Sequence, residues 1–272
     1  MDDNVGRSSR LGDDVLPMGA FRVISVFDFH KAYGSMLAVK GVSFEVRGGE
    51  ILGLIGPNGA GKTTTLRALS GIISPSQGTL AVGGHDLTRE TVAAKRTLAY
   101  IPDDPQLFPD LTVREHLAFT AAAYGVANPD PVSQELLTQF ELVRKQDTLA
   151  RDLSRGMRQK LAICCGYLHQ PRAIFLDEPL TGLDPHGIRT LKESIRQRAE
   201  AGAAIIVSSH LLAMVEDICT HVLILKEGQQ RFFGPVGGLK TAFITSDHDT
   251  SLERIFFLAT DHAEHTVVGA GS

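Results

Sequence analysis

ILGLIGPNGAGKTTTLRALSGI, residues 51–72, decides the architecture. Its first five positions are apolar apart from one glycine, which predicts a short strand buried on both faces, as in a parallel sheet. Gly56-Pro57-Asn58-Gly59-Ala60-Gly61-Lys62-Thr63 then fits G-x-x-x-x-G-K-[ST] at every fixed position. Glycines at these places let backbone amides close around phosphate oxygens, and the helix behind them adds the partial positive charge of its N-terminus. In this pattern Lys62 reaches the β- and γ-phosphates and the Thr63 hydroxyl sits on magnesium. With a strand before it and a helix after it, the stretch predicts a triphosphate site at the end of a core strand.

Two more runs share that design. AIFL at 173–176 leads into Asp177 and Glu178, and AIIV at 204–207 leads into Ser208, Ser209 and His210. Ligands of open α/β sheets bind beyond the carboxyl ends of the strands, so three segments distant in sequence are expected to meet at one edge. A carboxylate closing an apolar strand costs stability unless a cation or hydrogen bonds offset it. Magnesium takes oxygen ligands, which makes Asp177 the expected metal partner of Thr63. Glu178, where the chain leaves the sheet, is placed to orient or deprotonate a water for attack on the γ-phosphate. His210 is expected to sense that phosphate and fix the water. The bland reading of the acidic pair is a helix cap or a solvated turn.

Outward from these runs, FRVISVFDFHKAYG (21–34) and LAVKGVSFEVRGGE (37–50) read as strands, and SPSQGTLAVGGHDL as turns with a short hairpin. Thr112 and Glu115 have capping-box spacing at the start of a helix. PVSQELLTQFELV (131–143) reads as a second amphipathic helix. Ser154 is expected to cap a third, whose apolar face runs Met157, Leu161, Cys164 or Cys165, and Leu168, with Pro171 stopping it. A Ser-x-Gly turn opening a helix is also an anion site. The expected fold is α/β: a P-loop NTPase core with a mostly parallel sheet, an N-terminal antiparallel β subdomain, and an inserted helical lobe at about 104–165. Residues 1–20 are expected to be a disordered extension and 236–272 a C-terminal extension with a short amphipathic helix, SLERIFFLAT.

Composition narrows the classes. A chain of 272 residues with 43% hydrophobic and 21% charged content suits a soluble globular protein. A net charge of −4 opposes a nucleic-acid footprint. Three cysteines, two of them adjacent, make neither a disulfide framework nor a CxxC metal pair. No run reaches the ~20 apolar residues of a membrane span, and the polar, acidic N-terminus does not read as a signal peptide. His262 and His265 have metal-like spacing, but a solvated tail accounts for them better.

The order GPNGAGKTT, LSRGMRQKL, AIFLDEPLTGLDP, IIVSSH resembles the ATP-binding subunits of ABC transporters across roughly residues 21–235. The resemblance implies ATP and Mg²⁺ as cofactors, with ATP held by Gly56 to Thr64 and by Tyr33 stacking on adenine; Phe27 and Phe29 are the nearby aromatic alternatives. It implies catalysis by Glu178 with His210, and metal binding by Thr63, Asp177 and Asp103. The signature turn Ser154, Arg155, Gly156 and Met157 would act in trans, facing the γ-phosphate of a second ATPase subunit across a seam lined by Asp184. The second partner would be a separate integral membrane permease, placing the chain on the cytoplasmic face of the membrane. The tail and the signature variant are similar to those of exporter-type subunits. Arg155 and Met157 replace the third and fifth residues of the family's LSGGQ, and Asp103 stands where a glutamine is usual. Two other readings fit part of the pattern: a soluble ABC-type ATPase acting on nucleic acid or the ribosome, and a P-loop kinase.

Overall fold

The protein was analysed as a computed structural model that describes residues 21–210 and 212–242. SLERIFFLAT, His262 and His265 and the N-terminal extension lie outside the described residues. In chain order the elements are β1 (Arg22–Tyr33), β2 (Met36–Arg47), β3 (Ile51–Ile55), α1 (Lys62–Leu69), β4 (Gln77–Val82), β5 (His85–Asp86), α2 (Thr91–Arg96) and β6 (Leu98–Ile101). There follow α3 (Val113–Tyr124), α4 (Asp130–Gln139), α5 (Arg155–Tyr167), β7 (Ala173–Asp177), α6 (Pro185–Glu200), β8 (Ala204–Ser208), α7 (Leu212–Ile218), β9 (His221–Lys226), β10 (Gln229–Pro235) and α8 (Val236–Ala242).

The three apolar runs become adjacent strands. The larger sheet has the order β10-β9-β3-β8-β7-β6, parallel throughout except for the β9–β10 hairpin. Every residue of β3, β7 and β8 is buried. Alternation sends successive side chains to opposite faces. Ala173 and Phe175 of β7 join Ala204 and Ile206 of β8 in one core, while Ile174, Leu176, Ile205 and Val207 join another. The first core is roofed by the antiparallel sheet β2-β1-β4-β5, through Ile24, Val26, Phe29, Val42 and Phe44, and by Leu66 and Leu69 of α1. The second is covered by α3 to α6. This is the α/β architecture expected from the sequence.

Between β6 and β7 the chain runs through the three helices α3, α4 and α5. The Thr112–Glu115 capping box is present, with reciprocal bonds between side chain and backbone, and Gly125 ends α3 in the left-handed conformation. Leu117, Leu136, Leu137 and Leu161 turn inward onto the same core as β7 and β8. The packing of α5 on the sheet fixes where its N-terminal turn points.

The cysteines are part of this packing. Burial pushes the Cys165 thiol up to about 11 and Cys219 up to about 12, and Cys164 is raised as well, chiefly by desolvation. A raised thiol releases its proton only at high pH, so the nucleophilic thiolate is scarce at neutrality. Iodoacetamide at pH 7.5 is therefore expected to modify the native protein on the order of 10² times more slowly than the unfolded chain, with Cys165 accelerating as pH climbs toward 11. Mass spectrometry of timed aliquots measures this. Fast native labelling would contradict the packing.

Candidate active site

The loop after β3 is shaped by close backbone contacts. Gly61, the N-cap of α1, has φ 104, and a Cβ there would come within 2.9 Å of the Ala38 carbonyl oxygen. Only glycine fits without strain. The turn between β9 and β10 braces the loop from the side: Gly228 N–H donates to the Ala60 carbonyl at 3.1 Å, and Lys40 N–H donates to the Gly228 carbonyl at 2.8 Å. Pro57, Asn58 and Gly59 form the exposed rim, with Gly56, Ala60 and Gly61 buried behind them. Lys62 folds back over its own loop, its Nζ donating to the Gly56 carbonyl at 2.6 Å and to that of Pro57 at 3.3 Å. Desolvation lowers its pKa, and the nearby Glu178 and Asp177 carboxylates work against that shift. Thr63 is exposed at the start of α1, and Thr64 is half-buried beside it.

Register brings the other groups to the same edge. Ser208 is paired with Leu54 on one side and with Asp177 on the other. Asp177 is only 3% exposed, and its carboxylate accepts from three hydroxyls: Ser208 at 2.6 Å, Thr63 at 3.3 Å and Tyr100 at 3.3 Å. Burial and then the Asp177 charge push the Tyr100 phenol up to about 12, so it stays a donor. Glu178 has φ 47, the left-handed turn that swings it off the end of β7. Its N–H is held by Ser208, through Oγ at 3.0 Å and the carbonyl at 3.2 Å. One carboxylate oxygen of Glu178 lies 2.8 Å from His210 Nδ1. A carboxylate only accepts, so that nitrogen carries the proton.

A second cluster surrounds the start of α5. Ser154 Oγ accepts from Met157 N–H at 3.3 Å, the expected cap. A Cβ on Gly156 would lie 2.5 Å from the Gly182 carbonyl oxygen, so this turn rests directly on the loop before α6. Asp184 caps α6 by accepting from Gly187 N–H at 2.9 Å. That bond, and then the charge of Lys160, lowers its pKa. Arg155 is exposed and Asp103 half-buried, and they form an ion pair at 3.3 Å. Tyr33 is exposed at the end of β1, with Lys31 Nζ 5.2 Å from its ring centre. Phe29 is fully buried in the core, and Phe27 is exposed. Lys62, Thr63, Asp177, Glu178 and His210 thus share one edge; Asp103, which the resemblance implied as a third metal ligand, is paired with Arg155 of the signature turn, and Gly156 of that turn packs on the loop leading to Asp184.

Comparison with known proteins decides the family. The family model described as ABC transporter matches residues 39–181, more than half of the chain. The chain belongs to the ABC transporter family. Its relatives include the ABC-type transporter ATP-binding protein EcsA of Bacillus subtilis (strain 168), 34% identical over 83% of this chain and 92% of that protein. The bacitracin transport ATP-binding protein BcrA of Bacillus licheniformis is 36% identical over 76% of this chain and 68% of its own length. A Nod factor export ATP-binding protein I, from Paraburkholderia xenovorans (strain LB400), is 34% identical over 83% and 74%. Among solved structures, one titled as the ATP binding subunit of an ABC transporter has a TM-score of 0.83 and 33% identity, covering 87% of this chain and 99% of that one.

This ABC ATP-binding subunit is accordingly a nucleotide-binding ATPase coupled to transport. Its Asp177 is anchored by two hydroxyls, of Tyr100 and Ser208, to which the sequence had assigned no role. A signal for both existed: each sits at or next to the carboxyl end of a strand flanking β7, in β6 and β8. Reading it requires the strand order.

Proposed function

We propose that this subunit binds ATP with Mg²⁺ at the carboxyl edge of β3, β7 and β8, and hydrolyses it only when a second ATPase subunit closes over the nucleotide. The observation that carries this is the convergence of Lys62, Thr63, Asp177, Glu178 and His210 at one sheet edge. Thr63 Oγ and the Asp177 carboxylate, already 3.3 Å apart, are the hard oxygen donors that magnesium takes. When bound, the ion supplies charge neutralisation of the phosphates. The loop amides and Lys62 hold the triphosphate, and Tyr33 stacks on the adenine. Ser208 and Tyr100 keep Asp177 in place, and His210 orients the Glu178 carboxylate that takes the proton of the attacking water. From the second subunit, Ser154, Arg155, Gly156 and Met157 face the γ-phosphate, with Asp184 at the seam.

The helices between β6 and β7, an inserted lobe over about 104–165, receive a separate membrane permease. Phe108 and Phe119 support this: both are more than half exposed and meet edge to face at 5.2 Å. Aromatic patches of this kind mark partner surfaces. No helix among the described residues is long and apolar enough to cross a membrane. Membrane work then falls to the partner, with this subunit on the cytoplasmic face. Relatives named for Nod factor export favour export as the direction.

Dimerisation around ATP is the testable core. The Glu178→Gln protein is expected to elute from gel filtration at twice the monomer mass with MgATP, and to return to monomer when EDTA removes the metal. A monomer at saturating MgATP would overturn the reading.

A further inference from the structure

Asp103 and Arg155, two motif positions noted above as differing from the family pattern, are bonded to each other. Asp103, in the loop after β6, accepts from Arg155 Nη2 at 3.3 Å, although 52 positions separate them. The Arg155 stem runs across Gly182, whose Cβ position would be 3.1 Å from Arg155 Cγ and Cδ, so the guanidinium is aimed back toward Asp103. One turn further along α5, Gln159 is 1% exposed and donates to the Pro102 carbonyl at 3.4 Å. The same loop is therefore held to the start of α5 at two consecutive residues. The strand leading into that loop carries Tyr100, which donates to Asp177 in the nucleotide site.

We propose that Asp103 is a positioning residue for Arg155, holding its guanidinium within the free subunit until the phosphate bound by a second subunit displaces the carboxylate. This rests on the in-trans reading given above. Arg155 is a fixed cation with a planar fork, and phosphate competes with carboxylate for the same donors. Both side chains of the pair are about half exposed, 51% and 48%, so the bond is weak enough to exchange without a large desolvation cost. Closure around ATP thereby breaks a bond to the β6–α3 loop, next to the helices assigned to the permease.

The test measures, by analytical ultracentrifugation, the ATP concentration giving half-maximal dimer, with Glu178→Gln present in every protein. Asp103→Asn is expected to lower that concentration by about three- to tenfold, because the guanidinium is released to phosphate. Arg155→Gly is expected to raise it and to abolish the effect of Asp103→Asn in the double variant. Asp103→Glu, which keeps the charge, is expected to stay within about twofold of the parent. Two results overturn the proposal: no shift from Asp103→Asn, or the same shift with and without Arg155. If the Glu178→Gln parent itself stays monomeric, the in-trans reading fails and takes the proposal with it.

Discussion

Glutamine in place of Glu178 is expected to cut steady-state ATP turnover by about 10²- to 10⁴-fold, the contribution typical of a positioned general base. ATP affinity is expected to stay within about threefold, since the lost charge acts on proton transfer and not on the bound ground state. The structure explains why the fold should tolerate this change. Glu178 sits at φ 47, and its N–H is secured by Ser208 through Oγ and the carbonyl. Those bonds belong to the backbone and survive the substitution. Glutamine Oε1 accepts from His210 Nδ1 as the carboxylate does, so the side chain keeps its direction while losing basicity. Phosphate release gives the turnover, and titration with a fluorescent ATP analogue gives the affinity. Turnover above a tenth of wild type would show that another group takes the proton.

His210→Ala should affect the same step less than Glu178→Gln does. The imidazole is exposed and touches the reacting region through Glu178, so its removal leaves a base that is present but poorly aimed. Comparing the two variants by phosphate release separates the base from the residue that orients it.

The sequence exposes whatever local chemistry dictates. ILGLI must be a buried strand, the glycines after it must be a loop, and Thr112 with Glu115 must open a helix, because each depends only on neighbours. That Asp177, Glu178 and His210 share an edge with Lys62 was also legible, since parallel strands end together. What was not legible depends on strand order and register. Tyr100 reaches Asp177 only because β6 is the strand beside β7. Gly228 closes on Ala60 only because the β9–β10 turn lies against the phosphate loop. The Arg155–Asp103 pair joins two residues that each look like an isolated oddity in the sequence. The β1–β2 hairpin matched its two predicted strands; the register shift between Phe29 and His30 skips Gly41, a strand glycine at φ 71 that marks it, while the shift between Val26 and Phe29 has no such glycine.

Alanine in place of Lys62 is expected to weaken ATP binding by roughly two to three orders of magnitude, the cost of removing one partner from a shielded charge-assisted contact. Without nucleotide the balance is different. Lys62 is only 8% exposed and its pKa is held below that of a free lysine, first by desolvation. An unfolded chain then binds that proton more tightly than the folded one, so stability from this group rises with pH between the depressed folded value and the ordinary lysine value. At neutrality the charge works against folding, while its bonds to the Gly56 and Pro57 carbonyls work in favour. These contributions oppose each other, and the nucleotide-free Lys62→Ala protein is expected to unfold within about 1 kcal/mol of wild type at pH 7. Wild type should gain on the variant as pH rises toward 10. Thermal unfolding with and without MgATP reads both effects: ligand bound only by the native state raises Tm in proportion to the logarithm of its concentration over Kd, and the variant should lose that rise. A lysine poised over its own carbonyls is thus a group whose folding cost is redeemed when phosphate replaces them, and an unchanged ATP-induced rise in Tm for Lys62→Ala would refute that role.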